Sequence, residues 1–259
     1  MNNKKGQTTV FIIIAIIIVV SILGYFVVKG FLKGEVTYSQ EEDLSNFIEG
    51  CLEEDIVANV NKISEQGGYL EVGLSKKFRF EGEGEYFNLA YLCYTQNDYI
   101  PCVNQEPVLI QHLRDEIHES ISAKVEECFN ELRDELERKD YVVESEYNGF
   151  EVEIEPKKVI VNLDGKITST KNEETKTAQN FTSIVLSRIY DLAIVAQEIV
   201  YQEARLCNFD RTGFMLLYRD IDIDKVKLGD STIIYRLTHE ESEEKFQFAV
   251  RGCVIPPGA

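Results

Sequence analysis

Six cysteines carry the most pronounced chemical potential in this chain: Cys51, Cys93, Cys102, Cys128, Cys207 and Cys253. Their number is even, and none sits in a C-x-x-C pair. The chain holds only three histidines, so the ligand set of a zinc site is poorly supported. A thiolate nucleophile is the other use of such residues, but paired cysteines in an exported domain are the more economical one. Cys93 and Cys102 bracket YTQNDYIP, a turn-rich loop that a local disulfide would close. Cys51 and Cys128 fall on the apolar faces of two expected helices and would meet where those helices pack. Cys207 with Cys253 completes the expected set, although connectivity itself is not written in a sequence.

The remaining candidates are weaker. Asp220-Ile-Asp222-Ile-Asp224 suggests calcium, but an EF-hand loop needs Gly at its sixth position and Glu at its twelfth, where this chain has Lys225 and Ser231. A strand with aspartates on its wet face explains the alternation without a metal. His112 and His118 are six residues apart on one expected helix, not the four of a zinc helix, and read as solvated. His239 lies at a hairpin end with nothing beside it to mark a base. No nucleophile elbow, phosphate-cradling loop or dinucleotide fingerprint is present. The glycines of Glu81-Gly-Glu-Gly-Glu85 sit in an acidic loop that repels phosphate. No cofactor and no catalytic residue is therefore expected. The net charge of −18, from 45 acidic and 27 basic residues, argues against nucleic acid as a partner.

These residues have to be positioned by something, and the dominant element is Val10–Val28, VFIIIAIIIVVSILGYFVV. A helix of this uncharged run is roughly 28 Å long at about 1.5 Å per residue, matching a bilayer's hydrocarbon core. Lysines flank both ends (Lys4, Lys5, Lys29, Lys33), so the positive-inside rule does not orient it. All six cysteines follow it, and disulfides belong to oxidising compartments, which orients the N-terminus inside and the rest outside. One N-glycosylation sequon, Asn180-Phe-Thr182, is compatible with export. The expected division is a cytoplasmic N-terminus with a processing site over 1–9, a transmembrane helix over 10–28, a connector over 29–38 and an extracytoplasmic α+β domain over 39–259. Two subdomains, 39–140 and 141–259, are the alternative for the last.

Within that domain three long helices and antiparallel strands are expected. Ser39-Gln-Glu-Glu42 is a capping box, and a helix should run to Gln66 and stop at Gly67-Gly68. Pro107 opens a second to about Lys139, with Ile110, Leu113, Ile117, Ile121, Val125, Cys128, Leu132 and Leu136 at steps of three and four. From Tyr141 the period becomes two: Phe150–Glu155 alternates, Val159, Val161 and Leu163 follow, and Asp164-Gly165 signals a hairpin. A third helix is expected over Thr177–Arg205, with Arg188, Asp191 and Glu198 too costly for a second membrane span. Strands close the chain near Met215–Ile223, Thr232–His239 and Lys245–Arg251.

Ahead of the apolar run, Lys4-Lys5-Gly6-Gln7 resembles the class III signal of archaeal type IV pilins and archaellins. The resemblance covers about the first 28 residues. It implies cleavage between Gly6 and Gln7 by a prepilin-type peptidase on the cytoplasmic side, with the apolar helix kept. Many pilins carry Glu five residues after the cut. Here Phe11 stands there, which weighs against filament assembly. The function expected is thus a non-enzymatic, single-pass cell-surface or envelope protein that binds, adheres or scaffolds, with the lipid bilayer and other envelope or pilus-like proteins as partners. A minor-pilin-like subunit processed after Gly6 is the alternative, and a membrane-anchored hydrolase the third.

Overall fold

The structure, a computed structural model, describes residues 40–255. The apolar run 10–28, the processing site Gly6–Gln7 and the connector lie outside the described residues. Among the described residues no helix is long and apolar enough to cross a membrane.

The chain enters as α1, Gln40–Glu65, whose buried residues Leu44, Ile48, Leu52, Ile56, Val60 and Ile63 recur at steps of four and three. That spacing puts them on one face. The helix stops where expected. Gly68 N–H reaches back to Ile63 O at 2.9 Å, and Gly67 and Gly68 take φ of 79° and 101°, the left-handed backbone that a helix C-terminus asks of glycine. A Cβ on Gly67 would stand 3.0 Å from that of Ala90, so the turn also sits directly on the sheet. Short strands β1 (Ser75–Phe78), β2 (Phe87–Tyr94) and β3 (Val103–Asn104) follow, then α2, Leu109–Arg138. Its buried face, Leu109 to Leu136 through Ile117, Val125 and Cys128, packs on α1.

An antiparallel meander comes next: β4 (Val142–Glu155), β5 (Lys158–Lys171) and β6 (Glu174–Leu186). Its inner face covers the two helices, α1 through β6 and α2 through β4. Its outer face is wet, and acidic along β4, as the alternation Phe150–Glu155 predicts. The turns, however, are Pro156-Lys157 and Asn172-Glu173, with Lys157, Asn172 and Glu173 all at positive φ. Asp164-Gly165, expected as a hairpin, is an irregularity inside β5. A Cβ on Gly165 would stand 2.8 Å from the Phe129 ring of α2. This glycine admits a helix side chain rather than turning the chain.

The helix expected over Thr177–Arg205 is in fact β6 followed by α3, Ile189–Leu206. The strand expected at Met215–Ile223 is a short helix, α4 (Arg211–Leu217), and then β7 (Ile221–Lys227). Strands β8 (Ile233–His239) and β9 (Lys245–Arg251) form the final hairpin. The second sheet has six strands in the order β1-β2-β9-β8-β7, with β3 on β2. The expectation of purely antiparallel pairing is corrected at one place, because β2 and β9 run parallel.

The fold is therefore α+β, with α3 packed on α2 and against β9, β8 and β2. One hydrophobic cluster runs through α1, α2, α3 and the inner faces of both sheets. A smaller one, Phe80, Leu89, Tyr91, Ile234 and Ala249, lies on the other face of the larger sheet.

Candidate binding surface and its covalent staples

All six cysteines are paired, as Cys51–Cys128, Cys93–Cys102 and Cys207–Cys253. Their Cα separations of 5.9, 5.3 and 5.8 Å are ordinary for disulfides. Each staple joins elements that packing alone must otherwise hold. The first ties α1 to α2. The second closes the loop between β2 and β3 on buried sulfurs. The third ties the end of α3 to the segment after β9, and Cys207 takes φ 55° as the residue that ends α3.

An apolar cleft of about 680 Å³ lies between α3 and α4, with Asn104 and Pro107 at its edge. The sequence of α3 explains it. Leu192, Ala193, Val195, Ala196, Ile199 and Val200 are spent on the core, yet Ile194 and Tyr201, seven residues apart on the outer side, are apolar too. Across the cleft, α4 buries none of its residues, and Leu216 and Leu217 are 69 and 79 % exposed. Contiguous apolar exposure of this kind marks surfaces that contact something else. The cleft lies at the Pro107 end of α2. That is also the C-terminal end of α1, where Gly68 lies within reach of Leu109 and Leu113. The chain enters at the other end of α1, about 39 Å away for a helix of 26 residues.

A buried polar latch positions α4. Glu203, 3 % exposed, accepts from the Tyr235 hydroxyl, from Lys225 Nζ at 3.1 Å and from Phe209 N–H at 3.2 Å. Lys225 also donates to Asn208 Oδ1 and Phe209 O, both at 3.2 Å, so the turn leaving α3 is wrapped around one ammonium. A buried carboxylate is tolerated only when paired and hydrogen-bonded in this way. Burial, then the facing Glu203 carboxylate, push the Tyr235 phenol well above its ordinary pKa. Asp210 next caps α4, accepting from Gly213 N–H at 3.1 Å, and Phe214 packs on Phe209 and Tyr218. The sequence carried this signal: Asp210-Arg-Thr-Gly-Phe is a capping aspartate ahead of an apolar run.

The other sequence candidates do not converge on this cleft. Asp222 is exposed, whereas Asp224 accepts from Arg236 at 2.7 and 3.0 Å, with the guanidinium 4.2 Å over the Phe80 ring. Glu83, from the acidic glycine loop, turns inward to Arg236 at 3.0 Å and Lys245 at 3.3 Å. Among the described residues no group of three or more His, Cys, Asp or Glu could hold a metal ion.

His118 is exposed and stacks on Phe150 at 4.2 Å. His112 is not the solvated residue expected, because its ring packs 4.3 Å from that of Tyr69 between Glu106 and Glu116. Those carboxylates accept from Tyr69 Oη and Leu70 N–H, so the group fastens the chain after α1 to α2. His239 is 5 % exposed. Its Nδ1 accepts Ser242 N–H at 3.2 Å and faces Ser242 Oγ at 3.1 Å. That Ser–His contact spans three residues in the β8–β9 turn and acts as a cap.

Asn180 is exposed on β6, at φ 59°, and belongs to none of these groups. No family model, curated protein or solved structure matches the chain.

Proposed function

We propose that the chain is a single-pass membrane protein whose α+β unit lies outside the cytoplasm and binds other envelope proteins through the cleft between α3 and α4. The observation that carries this is the complete pairing of six cysteines, all of which follow the apolar run 10–28. Disulfides persist in oxidising compartments and are rare in the cytosol. A 19-residue uncharged run ahead of them supplies the tether, with Lys4 and Lys5 on the inner side. Binding is favoured as the activity by the apolar side chains that α3 and α4 leave exposed. The cleft's apolar side chains suit an apolar segment of a neighbouring protein.

The test is a thiol count on full-length protein from its native membranes, denatured without reductant, with protease added to intact cells in parallel. No reactive thiol and external cleavage of the unit are expected. Six reactive thiols with a protease-resistant unit would place the domain in the cytoplasm and reverse the topology. A second reading, a minor-pilin-like subunit, is favoured by Lys4-Lys5-Gly6-Gln7. It requires a mature chain that begins at Gln7, and a chain starting at Met1 or Asn2 would overturn it.

A further inference from the structure

The sequon Asn180-Phe-Thr182 lies at a break in the β5–β6 ladder. Gln179 faces Lys166 and Phe181 faces Leu163, so Asp164 and Gly165 together oppose the single residue Asn180. Asn180 takes φ 59°, which Asn adopts more readily than other residues with a Cβ. Among the described residues its amide hydrogen-bonds to nothing. The flanking residues fix it firmly: Phe181 is 1 % exposed and packs on Phe129, and Thr182 Oγ1 donates to Asn162 Oδ1 at 3.0 Å. Around Asn180 opens a shallow cleft of about 440 Å³ lined by Asn148, Asn162, Asp164 and Phe150. Amides, a carboxylate and an aromatic ring are the groups with which proteins hold hydroxylated rings. The site is thus an exposed acceptor amide on a fixed backbone, beside a polar shelf.

We infer that Asn180 is N-glycosylated and that the first sugar rests on this shelf. The donor class is a lipid-linked saccharide, used by a membrane oligosaccharyltransferase outside the cytoplasm. The Asn180 amide nitrogen attacks the anomeric carbon and forms an N–C bond. The bond from that carbon to the lipid phosphate oxygen breaks, and the phosphate leaves with the electron pair. The amide proton passes to solvent or to the departing phosphate. No oxidant or reductant takes part. Because Asn180 is exposed, the folded unit carries the group without displacing a core atom. The inference rests on the extracytoplasmic placement proposed above.

The experiment is mass analysis of the Asn180 peptide from full-length protein isolated from its own cells, together with the thiol count. The peptide is expected to be heavier by one or more sugar residues. The added mass should vanish in Thr182→Ala and survive in Thr182→Ser, which keeps the hydroxyl. Asn180→Gln should also lose it, but Asn suits this backbone angle, so the Thr182 pair decides. An unmodified peptide in a chain with all six thiols oxidised overturns the glycan and leaves the placement standing. Free thiols overturn the placement itself. Added mass that persists in Thr182→Ala assigns the modification to another chemistry and also overturns the inference.

Discussion

Tyr235 and Glu203 form the most heavily buried acid pair in the unit, and the direction of the Tyr235 shift sets a pH dependence. Its pKa is raised, first by burial and then by the Glu203 carboxylate. The folded state therefore keeps the phenol proton at a pH where the unfolded chain, near about 10, releases it. Stability from this group is fully present below the unfolded pKa and is lost as pH rises above it. Tyr69, raised by burial and by Glu106, adds to the same slope. Urea unfolding of Tyr235→Phe at neutral pH should show a loss of about 1.5–3 kcal/mol, the worth of a hydrogen bond to a charged group. Above about pH 10 the variant should lose stability less steeply than the parent, and the Tyr69→Phe/Tyr235→Phe double variant less steeply still. An unchanged alkaline slope would mean that neither phenol is held neutral by the fold.

At the scale of elements, the three staples are not equivalent. Cys51–Cys128, Cys207–Cys253 and Cys93–Cys102 span 77, 46 and 9 residues. Chain-entropy arguments give roughly 4.5, 4 and 2.6 kcal/mol for closing such loops. Paired Cys→Ser variants should therefore lower the denaturant midpoint in that order. Exposure ranks their lability differently. Cys207 is exposed and Cys253 half-buried, whereas Cys93 and Cys102 are buried. Mild reductant on the native protein should free Cys207 and Cys253 first, read by alkylation and mass, because exchange needs access to a sulfur. The helix that follows Cys207 in the chain, α4, gives a matching contrast. Leu217→Lys should leave stability within about 0.5 kcal/mol, as for other surface changes. Phe214→Ala, which strips contacts from Phe209, should cost measurably more.

This scale also shows what the sequence made legible. α1, α2 and the final hairpin follow from helical stripes, glycine stops and alternation, Cys93–Cys102 from a local loop and Cys51–Cys128 from two helical stripes, whereas Cys207–Cys253 was only the pair that remained. β6 was hidden by its irregularity. Its buried apolar residues Ala178, Phe181 and Val185 are three and four apart, the signature of a helix, because the strand's phase breaks at Asn180 and the buried residue between Phe181 and Val185 is the polar Ser183. Asp164-Gly165 misled for the complementary reason: its glycine makes room for Phe129, 36 residues earlier in the chain, as well as for Leu163, rather than turning the chain. The parallel β2–β9 pair joins segments more than 150 residues apart, and local period carries no record of such a partner. The cleft was partly legible, since the apolar surplus on α3 is visible in its sequence. Its α4 wall was missed in spite of the capping Asp210, because FMLLY reads equally as a strand.

For the whole molecule the dominant global term is charge. Four of the 27 basic residues but only one of the 45 acidic residues precede Gln40, so the described unit is more acidic than the chain's net −18. Acidic side chains crowd the outer faces of α1, α2 and β4, and self-repulsion of this kind destabilises a compact state. Opposing it are ion pairs such as Lys76–Asp230. There the ammonium hydrogen bond holds the Asp230 carboxyl below its usual range, but both groups are largely solvated. Salt weakens both effects, with a screening length of about 10 Å at 0.1 M. The excess of acids decides the sign, because 45 acidic residues face only 27 basic ones, so that pairing leaves many acids to repel one another. The thermal midpoint of the isolated full-length protein, at fixed pH near neutrality and with its disulfides intact, should thus rise as sodium chloride is raised from low to physiological strength. A falling midpoint would show that the exposed pairs outweigh the acidic surface. If it rises, the charge reversal Glu53→Lys on the exposed face of α1, where no ion pair with a described residue is lost, should raise stability at low salt, and that gain should shrink as salt is added.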